Sequence, residues 1–265
     1  MIHLHEGSDI LLSIITVTRN DAGRLSNTIK SLLGFYGDAR FEHIVVDGGS
    51  IDGTSEVIAP HMNCTNFRFD SNQDNGIYDA MNIGVKRSRG KFILFLNCGD
   101  LLLVAPDEIS IWLHEIEDKN FNIACFAFKN VHKGSKQLIR AEKITRYKMP
   151  TSHQGMIFLS SFVQTYWYDT RYKIAADYDL YLHSAVSKII LAPRIKPLTA
   201  VEVQGVASDN PVISYKEYLL IAFRNLYGVE FLTCSVRIAC KAMFVIPMKF
   251  LFSRERVEKM KLKKG

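Results

Sequence analysis

Residues 92–100 read Phe-Ile-Leu-Phe-Leu-Asn-Cys-Gly-Asp, an apolar run that ends in a short polar turn. An unbroken apolar run of this length predicts a strand buried on both faces, as in a parallel sheet. The turn residues Asn97, Gly99 and Asp100 place polar groups beyond the carboxyl end of that strand, the edge at which open α/β sheets bind ligands. We therefore predict that Phe92–Leu96 is a central strand and that its turn faces a ligand cleft.

The same pattern of strand, polar turn and helix occurs earlier in the chain. Leu11–Thr18, Phe41–Val46 and the shorter Phe67–Phe69 are predicted strands, and a helix is predicted from about Gly76 to Ser88. This alternation is typical of βαβ units that form a Rossmann-like, mostly parallel sheet flanked by helices. The polar residues after the strands are therefore expected to converge in one cleft.

The pattern changes after about residue 120. Ile123–Phe128 and Gln137–Ala141 flank a polar turn, which predicts a hairpin, and Ala175–Val186 has helical spacing. Tyr215 to about Phe252 is apolar with interspersed Arg and Lys, which predicts an amphipathic helix lying on a surface. We predict one α/β domain over residues 1–210 and a basic amphipathic helical extension over residues 211–265.

The basic charge of the protein is concentrated in this extension. The 265 residues have a formal net charge of +6. Residues 1–210 carry 22 Lys and Arg against 23 Asp and Glu, whereas residues 211–265 carry 11 against 4. A near-neutral body with a basic, apolar end favours contact with an anionic membrane surface, since a nucleic-acid-binding protein should spread its cations over a folded face. We expect no nucleic-acid partner.

The cysteines and the amino-terminal region indicate a reducing compartment. The five cysteines form no CxxC pair and are expected to be reduced thiols. No basic segment precedes the first apolar run, which is too short for a signal peptide or a spanning helix. The expected location is cytoplasmic and peripheral to the inner face of the cell membrane.

Carboxylates follow the predicted strands, while the common nucleotide-binding motifs are missing. The sequence contains no GxGxxG after the first strand and no P-loop. Asp47, Asp74 and Asp100 instead follow strand ends. If these carboxylates face a bound pyrophosphate, a cation such as Mg²⁺ or Mn²⁺ must bridge the two groups, because a carboxylate and a phosphate repel each other.

Six segments of the sequence, three earlier and three later in the chain, resemble a known family. In order and spacing, the earlier group is similar to family 2 glycosyltransferases of the GT-A fold, and consists of Asp47–Thr54, Asp74–Asn82 and Phe95–Asp100. The later group resembles bacterial members that build colanic acid and related surface polysaccharides, and consists of Ser152–Gln154, Tyr172–Leu180 and Gly205–Ser208. The likeness covers about residues 11–210.

The resemblance implies roles for individual residues. It implies a nucleotide-sugar half over about residues 11–105 and an acceptor half over about residues 106–210. The metal ligand for Mg²⁺ or Mn²⁺ would be Asp100, the catalytic base Asp177 and a possible acceptor-site residue His153. The residues that would bind the nucleotide sugar are Thr16, Thr18, Asn20, Asp47, Asp74 and Asn97.

The expected function is inverting transfer of a sugar from a nucleotide-diphosphate donor to a saccharide acceptor, lipid-linked in our interpretation, in bacterial surface polysaccharide biosynthesis. An inverting transfer requires stabilisation of the leaving phosphate and removal of a proton from the acceptor hydroxyl. Two alternatives stay open at this point: a nucleotidyltransferase, and a catalytically inactive, membrane-attached binding module of a polysaccharide assembly complex. Structural roles also remain open, because Asp47–Thr54 has the composition of an ordinary turn.

Overall fold

The predicted α/β sheet is present in the structure, a computed structural model that describes residues 10–132, 135–192, 196–202 and 210–251. Its strands are β1 (Leu12–Thr18), β2 (Phe41–Asp47), β3 (Phe67–Ser71), β4 (Phe92–Phe95), β5 (Leu101–Leu102), β6 (Ile123–Cys125), β7 (Phe128–His132), β8 (Ser135–Ile139), β9 (Met156–Leu159), β10 (Ile189–Leu191) and β11 (Thr199–Glu202). Its helices are α1 (Ala22–Leu32), α2 (Thr54–Ile58), α3 (Ile77–Arg87), α4 (Pro106–Glu117), α5 (Ser160–Tyr166), α6 (Ala176–His183), α7 (Pro211–Asn225) and α8 (Gly228–Leu251).

A mostly parallel sheet of seven strands forms the centre of the domain, in the order β10-β6-β9-β4-β1-β2-β3. Only β9 runs antiparallel to its neighbours β4 and β6. In the register of β1, β2 and β3, Thr18 lies beside Asp47, which lies beside Ser71. The three strands therefore end level with one another, and the loops that follow them share one edge of the sheet. The prediction that Phe92–Leu96 is a central strand is confirmed.

Helices cover both faces of this sheet. Along β1, Leu12 and Ile14 face a core shared with α4, while Ile15 and Val17 face a core shared with α3, α5 and α6. Such burial on both faces explains why β1 has apolar residues at both even and odd positions and does not alternate strictly between apolar and polar ones. Among the residues that the structure describes, α7 and α8 also contribute to the second core, through Ile221 and Ile238 for example.

The predicted hairpin before and after residues 133–136 is present, but its first strand is Phe128–His132 and not Ile123–Phe128. The chain leaves the large sheet after Cys125, and the backbones of Phe126 and Ala127 bond to Gly155 and Leu198 instead. β7 then pairs with β8 in a second sheet of order β5-β11-β7-β8. This sheet brings β11, and with it Glu202, next to the loop that follows β4.

The carboxyl-terminal segment forms two helices rather than the single one predicted. α7 starts with Pro211, whose fixed φ and missing N–H suit a first helical position. It ends at Asn225, and Gly228 then begins α8 with a φ of 53°. The predicted loop over Gly205–Pro211 lies largely outside the described residues, as does the basic run from Arg254 to Lys264.

Candidate active site

A cleft of about 640 Å³ opens at the carboxyl ends of the large sheet. The loops after β1 and β4, the start of α3, the segment before β9 and the start of α6 line it. Six of the residues predicted from the sequence lie on its wall, and these are Thr18, Asp74, Asn97, Asp100, His153 and Asp177. The structure thus brings together side chains from positions 18 to 177 of the chain.

Asp100 lies in the turn after β4 and is 3% exposed. Gly99 takes a φ of 95° to form this turn, a conformation that favours glycine. The carboxylate of Asp100 accepts hydrogen bonds from Gln154 Nε2 at 3.0 Å and from the backbone N–H of Glu202 at 3.3 Å. Burial raises the pKa of Asp100 to about 6, because the charged form loses its hydration, while nearby His153 and the two hydrogen bonds act in the opposite direction.

Asp177 lies across the cleft in the first turn of α6. Its carboxylate accepts a hydrogen bond from the N–H of Tyr178 at 2.8 Å and lies 3.4 Å from Nδ1 of His153. The side chain is 14% exposed, so it remains accessible from the cleft. A carboxylate placed in this way is able to accept a proton from a hydroxyl bound in the cleft.

His153 connects the two sides of the cleft. Its Nε2 lies 3.1 Å from Nδ2 of Asn97, while its Nδ1 faces Asp177. An amide N–H can only donate, so in this arrangement Nε2 accepts from Asn97, and Nδ1 is the ring nitrogen that faces the carboxylate. Asn97 Oδ1 is then left buried without a hydrogen-bond partner among the described residues. The arrangement orients His153 towards Asp177.

Thr16, Asn20 and Asp47 are not brought to the cleft wall. Thr16 is fully buried and its hydroxyl lies 3.0 Å from Nε2 of His43, so it supports the strand rather than facing a ligand. Asn20 Oδ1 accepts from the N–H of Ile51 at 2.9 Å, which fixes the loop after β2. Nucleotide contact by these residues is therefore not a feature of this geometry, and any such role stays a prediction.

Asp47 illustrates why turn chemistry and ligand binding are hard to separate in a sequence. It is 3% exposed, and its oxygens accept from the N–H and hydroxyl of Ser50 and from Ser71 Oγ at 2.7 Å. The neighbouring Gly48 lies against Asp74, since a Cβ at Gly48 would stand 2.5 Å from Asp74 Oδ2. In this arrangement, Asp47 holds the loop and Asp74 lines the cleft.

Arg24 lines the cleft but was not predicted as a site residue from the sequence. Arg24 packs against the Gly99 turn, where an added Cβ would stand 2.4 Å from its Nε, and it pairs with Asp21 at 3.2 Å and Glu202 at 3.1 Å. Arg24 lies in the first turn of α1, where a positive charge interacts unfavourably with the helix dipole. This unusual position is the feature of the sequence that could have indicated a functional role for Arg24. Gln154 and Lys173 also line the cleft; both lie in segments that carry the family resemblance, Ser152–Gln154 and Tyr172–Leu180, although neither was assigned a role.

No group of three or more His, Cys, Asp and Glu side chains able to hold a metal ion is present in the described ranges. The oxygen atoms at the Gly99 turn, the Asp100 carboxylate and the unpartnered Asn97 Oδ1, are nevertheless of the type that Mg²⁺ and Mn²⁺ prefer. Magnesium is often held by one or two carboxylates together with substrate phosphates. These residues fit a cation shared with a phosphate ligand.

Comparison with known proteins agrees with this geometry. The family model for glycosyl transferase family 2 matches residues 13–174. An uncharacterized glycosyltransferase of Mycobacterium tuberculosis is 31% identical over 190 residues, which cover 66% of this chain and 69% of that protein. A PGL/p-HBAD biosynthesis glycosyltransferase of Mycobacterium bovis is 31% identical over 180 residues, covering 64% and 67% of the two chains.

Solved structures share the fold. Staphylococcus aureus TarS 1-349 in complex with UDP-GlcNAc matches 93% of this chain and 74% of its own, with a TM-score of 0.65 and 18% identity. The mannosyltransferase PcManGT from Pyrobaculum calidifontis, in complex with GDP-Man and Mn²⁺, matches 98% and 83%, with a TM-score of 0.62 and 13% identity. The fold is GT-A, and the chain is a glycosyltransferase that belongs to glycosyl transferase family 2.

Proposed function

We propose that this glycosyltransferase is inverting and transfers a sugar from a nucleoside-diphosphate donor to a lipid-linked saccharide acceptor in bacterial surface polysaccharide biosynthesis. One observation carries the proposal: Asp100 and Asp177, 77 positions apart in the sequence, line the same cleft. Asp100 would hold a cation bound to the donor phosphates, and Asp177 would accept the proton of the acceptor hydroxyl. Family membership favours glycosyl transfer over the nucleotidyltransferase alternative.

The donor side of the cleft has cationic side chains that could contact a diphosphate, in addition to the carboxylates that would need a bridging cation. Arg19 and Arg24 lie on its wall, and the amino terminus of α1 begins directly after Asp21. Helix amino termini and Arg side chains both favour phosphate groups. Relatives in fold have been solved with UDP, UDP-GlcNAc and GDP-Man, which supports a nucleotide-sugar donor of this class.

The donor phosphates and Asp100 would share a divalent cation, Mg²⁺ or Mn²⁺. Asp100 would hold it with its carboxylate, and Asn97 Oδ1 is a second oxygen at the same turn. The bound cation would neutralise charge on the departing nucleoside diphosphate. Gln154 orients the Asp100 carboxylate through its hydrogen bond.

The acceptor side supplies the proton acceptor. In the proposed step the acceptor oxygen bonds to the anomeric carbon as the bond from that carbon to the donor phosphate oxygen breaks. The hydroxyl proton passes to Asp177, and the leaving group departs as a nucleoside diphosphate. His153, which faces Asp177 at 3.4 Å, keeps the carboxylate oriented during this transfer.

A membrane-bound acceptor is supported by the outer face of α7 and α8. Val229, Leu232, Val236 and Met243 recur at helical spacing on α8 and are all more than half exposed, as is Phe223 on α7. Residues 211–265 are basic, and an exposed apolar stripe on a helix of such a region is typical of contact with an anionic membrane surface. Within the described ranges, no helix combines the length and apolarity required to cross a bilayer.

The test is a screen of nucleotide sugars with Mn²⁺ or Mg²⁺, followed by product analysis. We expect one donor to release a nucleoside diphosphate, and Asp100→Asn to lower that turnover by at least a hundredfold. Release of pyrophosphate would instead indicate a nucleotidyltransferase. Absence of any metal-dependent nucleotide binding by calorimetry would indicate the inactive binding module.

A further inference from the structure

A buried carboxylate from α7 holds the segment that leads into α6. Glu217 accepts hydrogen bonds from three consecutive backbone N–H groups, those of Lys173 at 2.7 Å, Ile174 at 2.9 Å and Ala175 at 3.0 Å. The side chain is buried, so water competes little for these bonds. Glu217 lies more than 40 positions away from this segment in the sequence.

The three amides lie immediately before the helix that carries Asp177. Ala175 is the residue that caps α6, and its methyl side chain makes no capping hydrogen bond. Backbone N–H groups at the start of a helix lack partners within the helix, and an acidic group is favourable there. Glu217 instead holds the three amides that precede this first turn, and the last of them, that of Ala175, lies two residues before Asp177.

Further contacts fix the same segment from other directions. Tyr78 on α3 donates its hydroxyl hydrogen bond to the carbonyl of Ile174. Arg224 on α7 donates to the Tyr172 hydroxyl at 3.0 Å. Tyr218, the residue next to Glu217, itself lines the cleft. Contacts from α3 and α7 therefore hold the approach to Asp177.

We propose that Glu217 is a positioning residue for the catalytic base, and that α7 is part of the catalytic apparatus rather than only a membrane contact. Glu217 fixes the amides of Lys173, Ile174 and Ala175, and this fixes the direction in which Asp177 leaves the first turn of α6. The inference rests on the proposed role of Asp177. A displacement of about 1 Å at a reacting group is able to cost about a hundredfold in rate.

The experiment compares Glu217→Gln and Glu217→Ala in the full chain, with Lys216→Gln as the control for a change of side chain on the same helix. Lys216 is exposed and lies outside the cleft. The Gln variant keeps one acceptor oxygen, whereas the Ala variant keeps none. We expect kcat to fall about tenfold in Glu217→Gln and about a hundredfold in Glu217→Ala, with the donor KM within twofold of wild type.

Hydrogen exchange provides a readout that does not depend on turnover. The amides of Lys173, Ile174 and Ala175 should exchange at least about tenfold faster in Glu217→Ala, while amides of β1 and β4 keep their protection. Unchanged kcat, or unchanged exchange of these three amides, would overturn the inference. Loss of folding in both variants would overturn it as well, because Glu217 would then support the whole core rather than the base.

Failure of the inference is distinguishable from failure of the proposed function. If wild-type protein turns over no nucleotide sugar, the proposed function fails. If the wild type is active and Asp177→Asn is inactive while both Glu217 variants match the wild type, only the positioning role fails. A parallel loss of kcat and of donor affinity in Glu217→Gln would also contradict it, since that pattern indicates general disruption of the cleft.

Discussion

Nδ1 of His153 lies 3.4 Å from Oδ2 of Asp177, while the other ring nitrogen faces Asn97. A single imidazole therefore joins the turn after β4 to the first turn of α6. The residue predicted as an acceptor-site group contacts both the donor-side turn and the predicted base. This relationship makes the orientation of Asp177 depend on the turn that also carries Asp100.

Replacement of Asp177 by Asn should remove transfer while leaving the donor bound. The amide cannot accept the hydroxyl proton, so we expect the transfer rate to fall by about a hundredfold to ten-thousandfold. Nucleotide binding, measured by calorimetry in the presence of Mn²⁺, should stay within threefold of wild type. Asp169→Asn is the matched control, because Asp169 pairs with Arg171 on the surface. Transfer at the wild-type rate by Asp177→Asn would reject the assignment.

Asp100 should make the metal-free protein less stable as the pH rises through about 6. Burial raises its pKa from 3.8 to about 6, so between these values the folded state holds a proton that the unfolded chain has lost. The contribution of Asp100 to stability is therefore greatest below pH 3.8, falls as the pH rises from 3.8 to about 6, and is lost above that. In a chelating buffer at pH 7.5, Asp100→Asn should be more stable by about 3 kcal/mol.

Thermal unfolding at pH 7.5 and pH 3.5 measures this effect, with the difference between variant and wild type as the readout. At the lower pH both states of the wild type are protonated, and the gain from Asp100→Asn should disappear. An equal gain at the two pH values would show that the Asn side chain improves packing instead.

The apolar stripe of α8 should be required for binding to anionic vesicles. Leu232 is 62% exposed, and its replacement by Glu removes apolar area and adds a charge that repels the lipid. We expect Leu232→Glu to lower vesicle affinity in a sedimentation assay by about tenfold or more. Ile111→Glu is the control, since Ile111 is 57% exposed on α4. Equal losses in both variants would contradict a specific surface on α8.

A methyl group at Gly90 should destabilise the fold, whereas one at Gly23 should not. A Cβ at Gly90 would stand 2.6 Å from the backbone nitrogen of Ser13, which cannot move without disturbing β1. We expect Gly90→Ala to lower the free energy of unfolding by about 1–3 kcal/mol in urea titrations. At Gly23, in the first turn of α1, an added Cβ would meet no described atom within 4 Å outside its own helix turn and chain neighbours, and Ala should stabilise by about 0.5–1 kcal/mol. Similar values for the two variants would contradict the close approach at Gly90.

The sequence predicted most of the parallel half of the fold because its signals are local. β4 is a continuous apolar run, β1 and β2 are buried along their whole length, and a polar turn follows each of these strands directly. The second sheet was not predictable in this way, because β11 joins β7 and β5 across long stretches of chain. The exit from the large sheet after Cys125 likewise depends on partners at Gly155 and Leu198.

The sequence predicted cleft residues where their position, after a strand or at the start of a helix, indicated a role. Asn97, Asp100 and Asp177 follow strands or begin a helix within recognisable motifs, and all three line the cleft. Asp47 has the same local appearance, yet its oxygens are occupied by serine donors. Glu217 has no local signal at all, because its three partners become neighbours only when α7 packs beside α6.

The packing of α7 beside α6 and the cleft has a consequence for the design of shorter fragments of this protein. A fragment that ends before Pro211 would lack the exposed apolar side chains of α7 and α8, and such a fragment would be attractive for crystallisation. The same cut would strip the acceptor from three interior amides and open one wall of the cleft by removing Tyr218. A shorter fragment should therefore keep α7 and the buried side chains of α8, such as Ile238, and only the outward-facing side chains should be replaced.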